Sequence, residues 1–287
     1  MATTIKQSFL KFKSNLEITD LQQTTVSTRQ QNVRDAVAED LTVLDSFLTG
    51  SYRRSTMIAP LKRADVDVFV VLDSSYYKDT GQAWLLDKVK ASLLKKYNTP
   101  LISRNGQAVT ITFTDFTVDV VPAFYRSGGG YLIADSAKGR WISTDPKKHV
   151  DTWTIANAAH KGNFVPLIKM IKAWNRDHSA LLRSFHLEAM ILKILANIRI
   201  DDFSSGSRFV FDKMRQSVKV ATFDPAGYGG DLSTYLDTKE KVDAVVSRLE
   251  TAYRRSIEAE ALEVAGRTED AVAKWRLIFG DYFPAYG

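Results

Sequence analysis

Apolar residues near the start of the chain recur at helical spacing. They lie three or four residues apart, at Val33, Val37, Leu41, Leu44 and Leu48. Ser27 precedes them and is a suitable N-cap, because its hydroxyl can accept a hydrogen bond from the first helical turn. The pattern predicts one long amphipathic helix over residues 27–48, ending at Gly50.

The following apolar segments are rich in β-branched and aromatic residues, which is typical of strands. Residues 65–73 are almost continuously apolar after Asp67, as expected for a central strand covered on both faces. Further strands are expected over 107–114 and 116–124, and a helix over 81–97. The first half of the chain is therefore predicted to be an α/β domain.

From about residue 150 the spacing becomes helical. Helices are predicted over 163–176, 184–199, 237–265 and 268–280. We therefore expect an α+β protein with two domains, an α/β domain over residues 1–148 and a helical domain over residues 149–287.

Composition excludes several kinds of site and location. The 287 residues include no cysteine, so iron–sulfur clusters, disulfides, cysteine-based zinc sites and cysteine nucleophiles are excluded. The first twenty residues lack the apolar run of a signal peptide, and no segment approaches the roughly 18 apolar residues of a membrane span. The expected location is the cytoplasm.

Charge indicates an anionic partner. The formal net charge is +6, and residues 161–200 carry seven basic against two acidic residues. On the helix predicted over 163–176, Lys169, Lys172 and Arg176 fall within about 60° of one another at the standard helical turn. The sequence therefore predicts a cationic ridge on this helix, although a solvated basic face has the same pattern.

Three aspartates form the strongest chemical signal. Asp65 and Asp67 are two residues apart in one predicted strand, so they share a face about 6.6 Å apart. Asp119 lies in another apolar strand, and it would arrive about 5 Å to the side if the two strands pair. Three carboxylates this close repel one another unless a cation lies between them.

Such a cluster fits divalent metal ions. Mg²⁺ prefers carboxylates together with substrate phosphates, and two ions about 4 Å apart stabilise the attacking and leaving oxygens of an in-line displacement. We therefore predict that Asp65, Asp67 and Asp119 bind two Mg²⁺ ions, or Mn²⁺ in their place, and catalyse phosphoryl or nucleotidyl transfer.

A Gly-Ser turn precedes the aspartates. Gly50 and Ser51 stand fifteen residues before Asp65, in the pattern G-S-x(13)-D-x-D. A tight turn with exposed N–H groups and a hydroxyl suits a triphosphate. The dipeptide alone is common in turns, so its specificity comes from the combination with the aspartates.

Three residues near the basic segment have two interpretations each. Ser184 is either an ordinary helix cap or a cap that also donates to phosphate. Phe185 belongs either to the core or to a platform that stacks on a base. Asn157 either caps a turn or reads a base edge, because its amide has donors and acceptors.

The segments GSYRRST, DVDVFVVLD and TVDVVPAFY together resemble the DNA-polymerase-beta-like nucleotidyltransferases. The later segments IKMIKAWNR, RSFHLEAM, FDPAG and KWRLIFGDYF resemble the bacterial CD-NTases of the SMODS type. These enzymes are relatives of cyclic GMP-AMP synthase and oligoadenylate synthetase. The resemblance spans most of the chain, from residue 27 to the end.

The resemblance implies a two-lobed enzyme with nucleotides in the cleft and residues 27–48 as a spine helix between the lobes. It implies that Asp119 helps to activate the attacking ribose hydroxyl. It also implies that Gly50, Ser51, Lys172 and Ser184 bind the donor triphosphate, while Phe185 stacks on the base.

By the same resemblance, the substrates are nucleoside triphosphates: ATP, with GTP, UTP or CTP as further candidates. The product is a cyclic di- or trinucleotide that switches on a downstream effector in CBASS antiphage defence. The four histidines show no zinc-ligand spacing, so neither zinc nor activation by double-stranded DNA through a zinc insertion is expected.

Two other functions remain open. One is a nucleotidyltransferase that makes linear oligonucleotides or modifies RNA, a protein or a small molecule. The other is a catalytically silent, basic nucleic-acid-binding protein, which the three aspartates argue against. P-loop, kinase and serine-hydrolase functions are excluded because their glycine-rich and G-x-S-x-G motifs are missing from the sequence.

Overall fold

The computed structural model describes residues 3–98 and 101–287. The chain divides into two compact units. The α/β unit is Ile18–Asp151, and the helical unit combines the residues up to Glu17 with Thr152–Gly287.

Helices and strands are numbered in chain order. The helices are α1 (Ile5–Asn15), α2 (Asp20–Ala38), α3 (Gly50–Arg53), α4 (Gln82–Lys96), α5 (Pro146–Ala159), α6 (Phe164–Asp177), α7 (Ser184–Ile194), α8 (Phe203–Ser217), α9 (Lys239–Val264) and α10 (Thr268–Phe279). The strands are β1 (Val43–Leu48), β2 (Asp65–Leu72), β3 (Ile102–Asn105), β4 (Ala108–Thr112), β5 (Thr117–Tyr125), β6 (Tyr131–Asp135) and β7 (Arg140–Thr144).

The strands of the α/β unit form one mixed sheet in the order β1-β2-β5-β4-β3. β6 pairs with the far end of β5, and β7 pairs with β6. The pairing of β2 with β5 is parallel, and the other pairings are antiparallel. The strands expected over 65–73, 107–114 and 116–124 are confirmed within a few residues.

The two faces of β2 contact different parts of the core. Val66, Val68, Val70 and Leu72 belong to the large apolar cluster that also contains residues of α2 and α4. Phe69 and Val71 belong to a smaller cluster on the other face. Because alternate residues of a strand share a face, Asp65 and Asp67 project on the side away from α2 and α4.

The prediction of one helix over 27–48 holds for residues 27–38, which lie in α2, and is wrong for residues 43–48. α2 begins after Thr19, which forms a capping box with Gln22, and it ends at Ala38. Residues 43–48 instead form β1, which pairs with β2 from Val43↔Leu72 to Leu48↔Val68. The apolar spacing fits a helix locally, but β1 gains backbone hydrogen bonds to a central strand, which outweigh weak local preference.

The helical unit is built around aromatic side chains. Phe9 of α1 contacts Trp275 of α10, with ring centroids 5.0 Å apart, and Phe12 contacts Phe279 at 4.7 Å. All four rings are buried. These contacts explain why the first helix belongs to the helical unit rather than to the α/β unit.

Four helices predicted in the second half are present as α6, α7, α9 and α10, although α7 ends at Ile194 instead of residue 199. Asn197 and Ile198, which follow α7, have weaker helix preference than Ala or Leu. The predictions lacked α1, α3, α5, α8, β1, β3, β6 and β7. The expected domain boundary after residue 148 falls inside α5, close to the division between the units.

No described helix combines the length and the apolar character needed to cross a membrane.

Candidate active site

Three acidic side chains lie near the start of two neighbouring strands. Asp65 and Asp67 are the first and third residues of β2, and Asp119 is the third residue of β5. Asp67 and Asp119 are direct partners in the parallel register. The strands therefore pair side by side, a pairing that was only a condition of the sequence prediction, and the three aspartates share one face of the sheet.

Asp119 is fixed by a neighbouring threonine. Thr110 on β4 is its antiparallel partner in the sheet, and the Thr110 Oγ1 donates to Asp119 Oδ1 at 2.5 Å. Burial raises the pKa of Asp119 above its ordinary value, while the hydrogen bond from Thr110 acts in the opposite direction. Thr110 thus stabilises the charged carboxylate and leaves Oδ2 as the oxygen available for chemistry.

Asp65 is influenced by the same cluster. Asp65 keeps part of its surface exposed. Its carboxylate is nevertheless partly withdrawn from water, and this desolvation raises its pKa. The negative charge of Asp119 raises the pKa further. A cation placed among these carboxylates would favour their charged forms, which is the electrostatic requirement for a metal site.

Gly50 packs directly against Asp67. It has a φ of +60°, and a Cβ added to it would lie 1.7 Å from Asp67 Oδ2. The preceding Thr49 donates its N–H to the Asp67 carbonyl at 2.9 Å. Only glycine satisfies both the backbone conformation and the close approach.

Ser51 follows at the start of α3 and is half-buried. Its carbonyl accepts the N–H groups of Thr56 and Met57 at 2.9 and 3.0 Å. The first turn of a helix also leaves its N–H groups without acceptors inside the helix. The structure therefore brings Gly50 and Ser51 together with the aspartate strands in the α/β unit.

The donor set is suited to a hard divalent cation, since all three groups are carboxylates and Asp65 lies within the electrostatic influence of Asp119. Among the described residues, no group of three or more acidic or histidine side chains is arranged to hold a metal ion, and this includes the three aspartates. Mg²⁺ commonly binds through one or two carboxylates and substrate phosphates rather than in an all-protein cage. The carboxylates fit the predicted metal on that basis.

Lys172 lies in the helical unit, on α6. Its Nζ donates to Glu188 Oε1 at 2.8 Å, and the two side chains are 7% and 0% exposed. A buried carboxylate therefore already neutralises the lysine that we predicted to bind phosphate. Its role in nucleotide binding stays a prediction.

Ser184 and Phe185 also lie in the helical unit, at the start of α7. Ser184 is exposed, whereas Phe185 is half-buried against Trp153, with centroids 5.9 Å apart and planes 23° apart. Asn157 accepts the N–H of Val165 at 3.0 Å, as a capping residue does. The predicted nucleotide contacts of Ser184 and Phe185 are not tested by these positions.

The predicted cationic ridge on α6 is wrong. Lys169 and Lys172 are both buried, and Lys169 forms an ion pair with Glu17 at 2.6 Å. Arg176 donates to the Tyr282 hydroxyl at 3.3 Å. The helical wheel showed that the basic residues share a face, but it did not show that Lys169 and Lys172 are buried with acidic partners.

Sequence reasoning missed the groups that hold the candidate residues. The contact of Thr110 with Asp119 can be deduced from the strand register once β4 is known to pair with β5. Glu188, by contrast, comes from another helix than Lys172, so no local spacing identifies it.

Comparison with known proteins gives a consistent family relationship. The sequence matches the family described as "Second Messenger Oligonucleotide or Dinucleotide Synthetase domain" over residues 3–157. It is 26% identical to a cyclic AMP-AMP-AMP synthase of an Acinetobacter species, covering 98% of this chain and 86% of that protein. It is 27% identical to a probable cyclic nucleotide synthase of Bacillus cereus, covering 83% and 81%.

The fold is shared with solved structures. One is that of CdnC with ATP from Escherichia coli MS115-1, which has a TM-score of 0.80 and 16% sequence identity, covering 99% of this chain and 100% of that chain. The chain therefore has the expected α+β fold of the polymerase-beta-like nucleotidyltransferases.

Proposed function

The chain belongs to the family of Second Messenger Oligonucleotide or Dinucleotide Synthetase domains, and from this premise we propose that it joins nucleoside triphosphates into a cyclic di- or trinucleotide. ATP is the first candidate substrate, because the Acinetobacter relative is a cyclic AMP-AMP-AMP synthase. GTP, UTP and CTP are further candidates for the other positions of the ring.

The observation that carries this proposal is the pairing of Asp67 with Asp119 on neighbouring parallel strands, with Asp65 on the same face. A protein that only binds nucleic acid needs no carboxylates clustered beside an anion site. A nucleotidyltransferase does need them, because its substrate brings a highly charged triphosphate and a metal ion.

Asp65, Asp67 and Asp119 would hold two Mg²⁺ or Mn²⁺ ions. When bound, such ions stabilise negative charge on the attacking and leaving oxygens of the displacement. The raised pKa values of Asp65 and Asp119 support this assignment, since partial withdrawal from water disfavours the charged form of both carboxylates and a nearby cation would offset that cost.

In each transfer, a ribose hydroxyl oxygen attacks the α-phosphorus of the donor and forms a new phosphodiester bond. The bond between the α-phosphorus and the bridging oxygen breaks, and pyrophosphate leaves. We assign the hydroxyl proton to Asp119 Oδ2, because Oδ1 is already occupied by Thr110. Repetition of the step and a final ring closure give the cyclic product.

Gly50 and Ser51 are proposed to bind the donor triphosphate. The glycine allows the backbone to approach Asp67 closely, so phosphate held by the turn would lie beside the metal-binding carboxylates. The Ser51 hydroxyl and the N–H groups at the start of α3 supply donors to phosphate oxygens.

From the helical unit, we propose that Lys172 and Ser184 contact the triphosphate and that Phe185 stacks on the donor base. The ring of Phe185 stacks on Trp153 and stays partly exposed, which suits a platform for a base. The Lys172 ammonium group, which donates to Glu188, would supply positive charge to the phosphates.

We further propose that the cyclic product activates a downstream effector in CBASS antiphage defence. This role rests on the family relationship, since second messengers act through a receptor that recognises them.

The test is to incubate the purified protein with Mg²⁺ or Mn²⁺ and with each labelled nucleoside triphosphate, singly and in pairs. Phosphatase treatment follows, because a cyclic product has no terminal phosphate to remove. Mass analysis of the resistant material then identifies the bases and the ring size.

A phosphatase-resistant cyclic product is the expected result. Products that phosphatase shortens would instead indicate a linear oligonucleotide synthase. Label transferred to added RNA or protein would indicate a modifying nucleotidyltransferase, and either result would contradict the cyclic product.

A further inference from the structure

An open groove with a volume of about 510 Å³ lies on the helical unit. Residues of α5, α7 and the loop that includes Phe223 line it. Four of the lining residues are alanines: Ala156, Ala159, Ala189 and Ala196. Their small side chains leave room for a flat ring, and the volume falls within the range of small-molecule sites.

Two large apolar side chains at this groove are left in water. Ile155 is 70% exposed and Phe223 is 67% exposed. Single exposed apolar residues are ordinary, but two beside one concave apolar surface form a patch that gains free energy when a ligand covers it. Phe223 also offers the face of an aromatic ring for stacking.

His160 adds a polar group to the same wall. It is 8% exposed, and its ring stacks on Phe164 with centroids 5.6 Å apart and planes 18° apart. Within the described parts of the chain, its Nδ1 has no hydrogen-bond partner. A buried nitrogen without a partner beside an open groove is a natural anchor for a polar group of a ligand.

The groove carries a positive charge, which comes from Lys193. Among the described residues that line it, Lys193 is the only one with a full charge, and it is exposed. No carboxylate of residues 3–98 or 101–287 forms an ion pair with Lys193. A negatively charged ligand would therefore meet an ammonium group that does not first have to leave another partner.

We propose that this groove binds a small aromatic carboxylate. The ring would lie over the alanines and against Phe223, and the carboxylate would face Lys193. None of the residues that line the groove belongs to the proposed catalytic or nucleotide-binding set.

The probe is sodium naphthoate, compared with the neutral alcohol naphthalenemethanol, and binding to the full chain is measured by isothermal titration calorimetry. We expect saturable binding of naphthoate to the unmodified protein and weaker binding of the alcohol. Phe223→Ser should weaken naphthoate binding about tenfold, because the aromatic contact is lost. Ile155→Ser is a second variant, which replaces Phe223→Ser should that variant fail to fold.

Lys193→Gln should abolish the preference for naphthoate over the alcohol while leaving binding of the alcohol unchanged. Leu277→Ser and Lys219→Gln are matched controls, because both residues are exposed and neither lines the groove. Circular dichroism verifies that each variant is folded.

Absence of saturable binding to the unmodified protein would overturn the proposal. Equal naphthoate affinity in the unmodified protein and in folded groove variants would overturn the location. Equal affinity of the unmodified protein for naphthoate and the alcohol would overturn the assignment of a carboxylate.

Discussion

A Cβ atom on Gly50 would lie 1.7 Å from Oδ2 of Asp67, so the turn and the carboxylate can be neighbours only because residue 50 is glycine. The Thr49 N–H also donates to the Asp67 carbonyl, which fixes the same turn against β2. One backbone contact therefore sets the distance between the proposed triphosphate turn and the proposed metal ligands.

Replacing Gly50 with Ala should push the turn and Asp67 apart. We expect synthesis to fall about a hundredfold or more, since displacement of a reacting group by about 1 Å has effects of that size. The positive φ should also destabilise the fold by about 1–2 kcal/mol. Initial rates of pyrophosphate release measure the first effect, and urea unfolding measures the second.

Gly106→Ala is the matched control for that variant. Gly106 has a φ of +58°, but a Cβ there would meet no atom within 4 Å. The Gly106→Ala variant should therefore lose about as much stability as Gly50→Ala, but it should keep its synthase activity. Equal activity losses in the two variants would show that backbone strain, rather than the contact with Asp67, explains the effect.

Thr110→Val should remove the hydrogen bond to Asp119 while keeping the shape of the side chain. Loss of a hydrogen bond to a charged group is worth about 1.5–3 kcal/mol, so we expect kcat to fall at least about tenfold. The pKa of Asp119 should rise further, because Thr110 now lowers it. The acidic limb of the pH–rate profile should therefore move to higher pH.

Thr110→Ser restores the hydroxyl and should restore most of the rate. The comparison is made on kcat at saturating nucleotide and Mn²⁺. A Thr110→Val enzyme with unchanged kcat and an unchanged pH profile would show that Asp119 does not need this partner.

The ion pair of Lys172 and Glu188 allows stability and nucleotide binding to be separated. Glu188→Gln leaves a buried ammonium without its anion, which should cost about 3–5 kcal/mol in urea unfolding. The double variant Lys172→Met with Glu188→Leu should recover much of that stability, because no unpaired charge remains.

If Lys172 also binds the triphosphate, the stable double variant should show a KM for nucleotide raised about tenfold or more. An unchanged KM in a folded double variant would mean that the ion pair is purely structural.

Stability should depend on pH through His186. Burial lowers its pKa from 6.5 to about 4, with the charge of Asp231 acting in the opposite direction. The unfolded chain therefore binds this proton more readily, so the contribution is complete above pH 6.5 and is lost as the pH falls towards 4. The total loss is about 3 kcal/mol.

Urea unfolding of the unmodified protein and of His186→Phe at a series of pH values measures this effect. We expect the variant to show a shallower fall in stability below neutral pH. Parallel curves for the two proteins would show that His186 titrates alike in the folded and unfolded chain.

The features that sequence alone predicted well are those with a local signal. β2 and β5 are apolar runs with aspartates at fixed positions, so strand periodicity indicated their faces correctly. α9 and α10 carry clear helical spacing and were expected within two residues at either end. The pairing of β2 with β5 had to be assumed, yet it is what joins Asp67 to Asp119.

Two of the errors share one physical cause, which is that tertiary partners override local preference. Residues 43–48 fit a helix by spacing but become β1, because β2 supplies a hydrogen-bonding edge. Lys169 and Lys172 look like a solvated pair on a helical wheel, but Glu17 and Glu188 neutralise them from distant parts of the chain. No spacing within one segment reveals such partners.

The most direct measurement compares phosphatase-resistant product from the unmodified protein with that from Asp67→Asn, under identical Mn²⁺ and nucleotide concentrations. Asn keeps the size of the side chain and removes its charge. We predict a cyclic product from the unmodified protein and none from the folded variant. Cyclic product formed at an undiminished rate by Asp67→Asn would contradict the assignment of the aspartates as the catalytic metal site.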